Sequence, residues 1–201
     1  MKLILTLSTL VVFISIQSQI TFKPGVRLGL NLADISNLNT KKSTNYYVGA
    51  SFAVGFSKKY TLQPELTYSK QGAILLEADS GIYINDNSLE IEVDFISFTI
   101  NNKFNINKNI HLLFGPFLDF RTNHNFDHFN SSFSFLIPDT DYGFIGGIGY
   151  NILNNFSVEL RYKQGLYDII KQINRDGERP KSNNKTQTIQ LGLTYKFDFG
   201  K

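Results

Sequence analysis

Phe156-Ser157-Val158-Glu159-Leu160-Arg161-Tyr162-Lys163 alternates an apolar residue with a polar or charged one at every step. Successive side chains of a β-strand point to opposite faces, so the octet puts Phe, Val, Leu and Tyr on one side. Ser, Glu, Arg and Lys fall on the other. If the charged side met hydrocarbon, a basic residue at the bilayer midplane would cost about 2–4 kcal/mol and an acidic one less. The octet therefore fixes which face is wet.

The same period of two runs outward in both directions. Residues 26–32, 48–56, 60–68, 96–104, 110–120, 142–150 and 189–199 repeat it, which predicts eight strands with no competing helical stripe. In the fourth, Leu89, Ile91, Val93 and Phe95 are apolar on odd positions and Ile96, Phe98 and Ile100 on even ones. A one-residue shift exchanges the faces, so either a β-bulge is expected near Asp94 to Ile96 or the early part of the strand lies beyond the membrane. Residues 57–59, 105–109 and 151–155 are short and rich in Asn, Lys and Ser, suited to tight hairpins. Residues 33–45, 69–88, 122–140 and 168–184 are longer polar stretches. Long and short connections in alternation match the plan of an outer-membrane barrel.

A soluble barrel or sandwich would alternate in the same way. Three features separate the alternatives. The face opposite the apolar one carries Gly25, Gly29, Gly49, Gly55, Gly115, Gly143, Gly147, Gly149, Gly165 and Gly192, with Ser, Thr and charges of both signs. Small residues and paired charges suit the narrow interior of an eight-stranded barrel. The large apolar side chains, about forty, would overfill that interior, though a sandwich could hold them. Aromatics bracket the short connections: Phe56 and Tyr60, Phe104, Tyr150 and Phe156, with Phe22, Phe197 and Phe199 near the chain ends. Rings gather in this way at a membrane interface.

Composition narrows the function classes. The chain has 201 residues, 42% hydrophobic and 18% charged, a net charge of +3, and 18 Phe and 10 Tyr without Trp. Nothing in it marks a strongly basic nucleic-acid binder. Cysteine is absent, which excludes a disulfide scaffold, a thiolate metal site, a Cys nucleophile and a lipid anchor on Cys. Met1-Lys2, an apolar run over residues 3–16 and Gln17-Ser18-Gln19 follow the plan of a secretory signal. Cleavage is expected after Ser18, although Ile16 is large for its place. Residues 1–18 are then the signal peptide and 19–201 one outer-membrane β-barrel domain. Past the leader no apolar run is long enough for a membrane-spanning helix, so a membrane could be crossed only by strands.

Several segments resemble the PorT-like outer-membrane β-barrel family. They are Gly25-Val26-Arg27-Leu28-Gly29-Leu30-Asn31-Leu32, then Leu62-Gln63-Pro64-Glu65-Leu66-Thr67-Tyr68-Ser69-Lys70-Gln71-Gly72, then Leu113-Phe114-Gly115-Pro116-Phe117. Tyr142-Gly143-Phe144-Ile145-Gly146-Gly147-Ile148-Gly149-Tyr150, Val158-Glu159-Leu160-Arg161-Tyr162 and Leu191-Gly192-Leu193-Thr194-Tyr195-Lys196-Phe197 follow in the family's order. The resemblance covers nearly the whole mature chain. It departs at Phe98 or Thr99, where the family usually has a proline, and at Gly200-Lys201, which follow the terminal aromatic. It implies an all-β, up-and-down transmembrane barrel. PorT itself is associated with protein secretion, a role that the resemblance does not carry over to this chain.

On the polar face, Arg27, Glu65, Lys103, Asp119, Arg121, Glu159 and Arg161 are expected to form a structural network filling the lumen, since buried charges must be paired. Lys163 is expected near the rim, and His111 reads as an isolated structural histidine. His124, Asp127 and His128 are potential metal ligands, but their spacing is helical in a segment read as a loop, so no metal site is assigned. No serine–histidine–acid pattern, nucleophile elbow or phosphate loop is present, and no cofactor or catalytic residue is assigned. The expected partners are outer-membrane lipid, the machinery that inserts barrels, and an unidentified extracellular ligand met by the long loops. A structural or surface-interaction barrel is the leading expectation. The alternatives are a barrel enzyme, a narrow pore, or an accessory part of an envelope secretion or assembly complex.

Overall fold

The structure, a computed structural model, describes residues 20–36, 40–76, 88–124, 139–167 and 185–198. The expected signal peptide lies outside them, as do Asp127, His128 and the side chain of His124. Eight strands follow in order: β1 (Thr21–Ile35), β2 (Thr40–Gly55), β3 (Tyr60–Leu76), β4 (Ser88–Asn105), β5 (Ile110–His124), β6 (Thr140–Asn151), β7 (Phe156–Gly165) and β8 (Thr186–Lys196). Each pairs antiparallel with its sequence neighbour, and β8 returns to β1 with Arg27 opposite Thr194 and Leu28 opposite Leu193. Closure gives every strand two partners, which a sheet in hydrocarbon requires because lipid cannot satisfy an open edge. The predicted all-β, eight-stranded up-and-down barrel is the fold observed.

The barrel is apolar outside and polar within. Leu28, Leu160 and Leu191 are each more than half exposed, while Arg27, Glu159 and Arg161 one step along the chain are no more than 2% exposed. Tyr60 packs against both Phe56 and Phe104, Phe22 stacks on Phe52, and Tyr195 meets Phe197 edge to face. These rings form the expected belt at the tight-turn end. At the other end, Tyr46 lies against Tyr68, and Tyr142 against Tyr167.

The three tight turns share one plan. Phe56 and Ser57 both donate backbone N–H to the Tyr60 carbonyl, Ile106 and Asn107 to Ile110, and Ile152 and Leu153 to Phe156. In the first, Ser57 Oγ accepts from the N–H of Lys59 and Tyr60. In the second, Asn107 Oδ1 accepts from Asn109 and Ile110. Serine and asparagine close such turns because a short side chain can replace a backbone acceptor. By the general plan of bacterial outer-membrane barrels these turns are periplasmic.

Two expectations need correction. Residues 40–45 and 69–76, expected in long loops, belong to strands. Strands β1 to β5 have 15 to 18 residues and β6 to β8 only 10 to 12. About 9–11 suffice to cross a bilayer, so the first five rise beyond it on the side away from the tight turns. Beyond the bilayer a strand can meet water on both faces, as at the adjacent and exposed Lys41 and Lys42 of β2, where the period of two is lost. The second correction concerns β4. Its register against β5 does shift, between Asp94 and Phe95, as expected. The extra residue is Thr122 on β5, however, so β4 keeps its phase and Val93 and Phe95 are buried in the lumen. A second shift, between β2 and β3 at Lys42 to Tyr47, had no counterpart in the sequence pattern.

Candidate functional site

Alternation along β1, β3, β4, β5 and β7 sends Arg27, Glu65, Lys103, His111, Glu159 and Arg161 to one level of the lumen. Glu159 is the hub. Its Oε2 accepts from Arg27 Nη1 at 3.1 Å, from Arg161 Nε at 2.9 Å and from Arg161 Nη2 at 2.5 Å. Its Oε1 accepts from Lys103 Nζ at 2.5 Å and lies 3.0 Å from His111 Nε2. Arg161 also forks onto Glu65, with two contacts of 2.8 Å, and Arg27 Nη1 reaches Glu65 Oε1 at 2.9 Å. A planar guanidinium can serve two carboxylates at once, which the compact ammonium of lysine cannot do in that geometry.

Tyr47 ties the hub to the wall. Arg27 Nη2 donates to its Oη at 2.7 Å, and the Arg27 Cζ lies 5.1 Å from its ring centroid. The ring finds room only because the wall beside it is glycine. A Cβ on Gly192 would run into Tyr47 Oη, and one on Gly29 would lie 2.7 Å from it. Glycine here is a matter of space.

A second cluster lies farther from the tight turns. Asp119 accepts from Lys163 Nζ and from Ser97 Oγ, both at 2.5 Å, and Lys163 Nζ sits 4.1 Å from the centroid of Phe117. Gln71, Thr188, Asn31 and Gln190 continue it by hydrogen bonds. Among the described residues, a pocket of about 10 Å³ lies between the two clusters, at the lower limit for one water molecule. Among the described residues, four basic side chains (Arg27, Lys103, Arg161, Lys163) and four acidic ones (Glu65, Asp119, Asp141, Glu159) are buried. Their formal charges cancel.

Five of the seven expected lumen residues meet around Glu159, and Asp119 lies in the second cluster. Arg121 stands apart at the rim of β5, paired with Asp139, whose side chain is 86% exposed. Lys163 is the converse: expected near the rim, it is buried at 3% exposure. The period of β7 already marked it, two residues beyond Arg161 on the same face. His111 is likewise part of the hub. Tyr47 was missed because aromatic residues were read as lipid-facing, and its contact with Gly192 spans 145 positions of sequence in a register that only closure defines. No group of three or more His, Cys, Asp or Glu is placed to hold a metal among the described residues.

A closed eight-stranded barrel with a lipid-suited exterior, ring belts at both ends and a charge-balanced interior defines a bacterial outer-membrane barrel. The family model described as the outer membrane protein beta-barrel domain matches residues 17–171, and the chain belongs to that family. Neisserial surface protein A has a similar fold, with a TM-score of 0.53 at 11% identity over 90% of this chain and 100% of that one. Ail, the attachment invasion locus protein of Yersinia pestis, matches at 13% identity over 87% of this chain and 98% of that one, with a TM-score of 0.49. OprG of Pseudomonas aeruginosa matches at 12% identity over 88% and 94%, also with a TM-score of 0.49. No curated protein matches the sequence. The protein is located in the bacterial outer membrane.

Proposed function

We propose that this protein is a structural or surface-interaction barrel whose lumen is a plug, with no chemistry carried out inside it. The observation that carries the proposal is the gap of about 10 Å³ between the two charge clusters. Arg27, Glu65, Lys103, Asp119, Glu159 and Arg161 serve there as cross-braces between strands, and each finds its partners inside the wall. Reconstituted protein is expected to be silent in a planar bilayer at moderate voltage. Steady single-channel steps that vanish in Arg161→Ala would overturn this and make the protein a narrow pore.

The work is then done at the ends. The raised crest of β1 to β5 supports a surface role, because the long paired strands themselves extend beyond the membrane on that side. Photo-cross-linkers at Lys42 on the crest and at Leu160 in the lipid belt test it in intact cells. Protein adducts are expected from Lys42 and not from Leu160. Outer-membrane lipid and the insertion machinery are the general partners of such a barrel, and an extracellular ligand met by the loops is the specific one. Within the family, the ordered segments from Gly25 to Phe197 support a PorT-like affiliation. The mature chain starts at Gln19, after the leader is removed.

A further inference from the structure

The lumen opens at its tight-turn end into a pocket of about 160 Å³. Four lysines line it: Lys58 and Lys108 from two turns, Lys103 from β4 and Lys196 from the end of β8. His111 joins them, and the rest of the lining is asparagine and threonine, without a carboxylate. Of these four lysines, only Lys103 has a carboxylate within ion-pair distance among the described residues, the hub Glu159, which His111 also meets. Ammonium groups gathered around one small volume repel each other unless an anion joins them.

The wall of the pocket is built rather than loose. Asn105 Nδ2 donates to the Lys58 carbonyl at 3.0 Å, and Asn151 Nδ2 donates to the Lys108 carbonyl at 3.3 Å. Asn109 Nδ2 closes the second link by donating to the Asn151 carbonyl at 3.1 Å. The backbones that carry the turn lysines are thereby pinned to the neighbouring strands.

The tier just inward supplies an independent sign. Gln63, Asn101 and Thr194 follow Thr61, Lys103 and Lys196 two residues deeper on the same faces. Gln63 Oε1, both amide atoms of Asn101, Thr194 Oγ1 and the nearby Ser157 Oγ have no hydrogen-bond partner among the described residues, although they are at most 1% exposed. Buried polar atoms of this kind are normally served by ordered water or a ligand.

We infer that this pocket is an oxyanion cup at the periplasmic mouth of the barrel and takes a phosphate group. The three ammonium groups without a carboxylate suit a dianion better than a single carboxylate. Lysine binds phosphate as a point charge and needs no planar fork. Water held between the anion and the Asn101 tier would serve the unpaired amide and hydroxyl atoms beneath. The phosphate is either a free solute of the periplasm or the headgroup of an inner-leaflet lipid.

The test uses full-length mature protein in nanodiscs of phosphatidylcholine, titrated with inorganic phosphate and followed by phosphorus NMR and by the midpoint of thermal unfolding. Saturable binding and a raised midpoint are expected. Lys108→Gln with Lys196→Gln should weaken binding by roughly tenfold or more, while Lys59→Gln, on the same turn as Lys58 but outside the lining, leaves it unchanged. All variants should keep heat-modifiable gel mobility, which separates lost binding from lost folding. A second series adds phosphatidic acid to the discs: competition with inorganic phosphate assigns the cup to lipid headgroups, and its absence to soluble phosphate. No saturation, or equal weakening by Lys59→Gln and by the double variant, would overturn the inference.

Discussion

Arg161 reaches back two residues along β7 and donates through Nε to Glu159 Oε2 at 2.9 Å, while its Nη1 and Nη2 fork across the lumen onto Glu65. One side chain thus joins carboxylates from opposite parts of the wall. Glu159→Ala would leave Arg27, Lys103 and Arg161 sharing Glu65 alone in a water-poor interior. The expected loss is about 3–5 kcal/mol in urea unfolding of the reconstituted barrel. Adding Lys103→Met should restore part of it, a coupling that independent sites would not show.

Gly192→Ala is expected to destabilise by about 1–3 kcal/mol through overpacking against Tyr47 Oη. Tyr47→Phe removes the clashing atom but also the acceptor of Arg27 Nη2. Each single change should therefore be harmful and the pair less harmful than their sum. Additive losses in thermal unfolding would mean that the ring does not rest on the glycine.

The two misjudged cations give opposite expectations. Lys163→Gln breaks a buried pair with Asp119 and should cost about 1.5–3 kcal/mol, as for hydrogen bonds to charged groups. Arg121→Gln breaks a pair whose partner is solvated and should cost less than about 1 kcal/mol. Equal effects in side-by-side urea titrations would contradict the assignment of one to the interior and the other to the rim.

On the lipid side, Leu160→Arg should cost about 2–4 kcal/mol if its Cα lies near the midplane. Asn154→Arg, in an exposed tight turn, should be nearly neutral. Comparable yields of folded barrel from both variants, read by heat-modifiable mobility, would show that the apolar face does not meet hydrocarbon.

The phase of every transmembrane strand could be read from the sequence, since exchanging lipid for lumen costs several kcal/mol in β7 alone. Glu159 and Arg161 were readable for that reason. The β2 part of the crest was not, because Lys41 and Lys42 lie where both faces meet water and nothing enforces alternation. The register shift falls where the apolar pattern of β4 changes, between Asp94 and Phe95, but β4 itself keeps its phase. Which strand held the extra residue depended on Thr122, whose hydroxyl bonds the Asp94 carbonyl and whose type is ordinary on either side. The depth of Lys163 followed from counting along β7, but only pairing with Asp119 made burial tolerable.

Because the hub draws on β1, β3, β4, β5 and β7, its network cannot be completed while the sheet is still flat. Arg161 can meet Glu159 along β7 before closure, but the fork of Arg161 onto Glu65 and the bond of Arg27 to Glu159 join opposite parts of the wall and need the closed barrel. The meeting of β1 with β8 thus adds ion pairs that the open sheet lacks, and the charges inside the barrel serve as its latch.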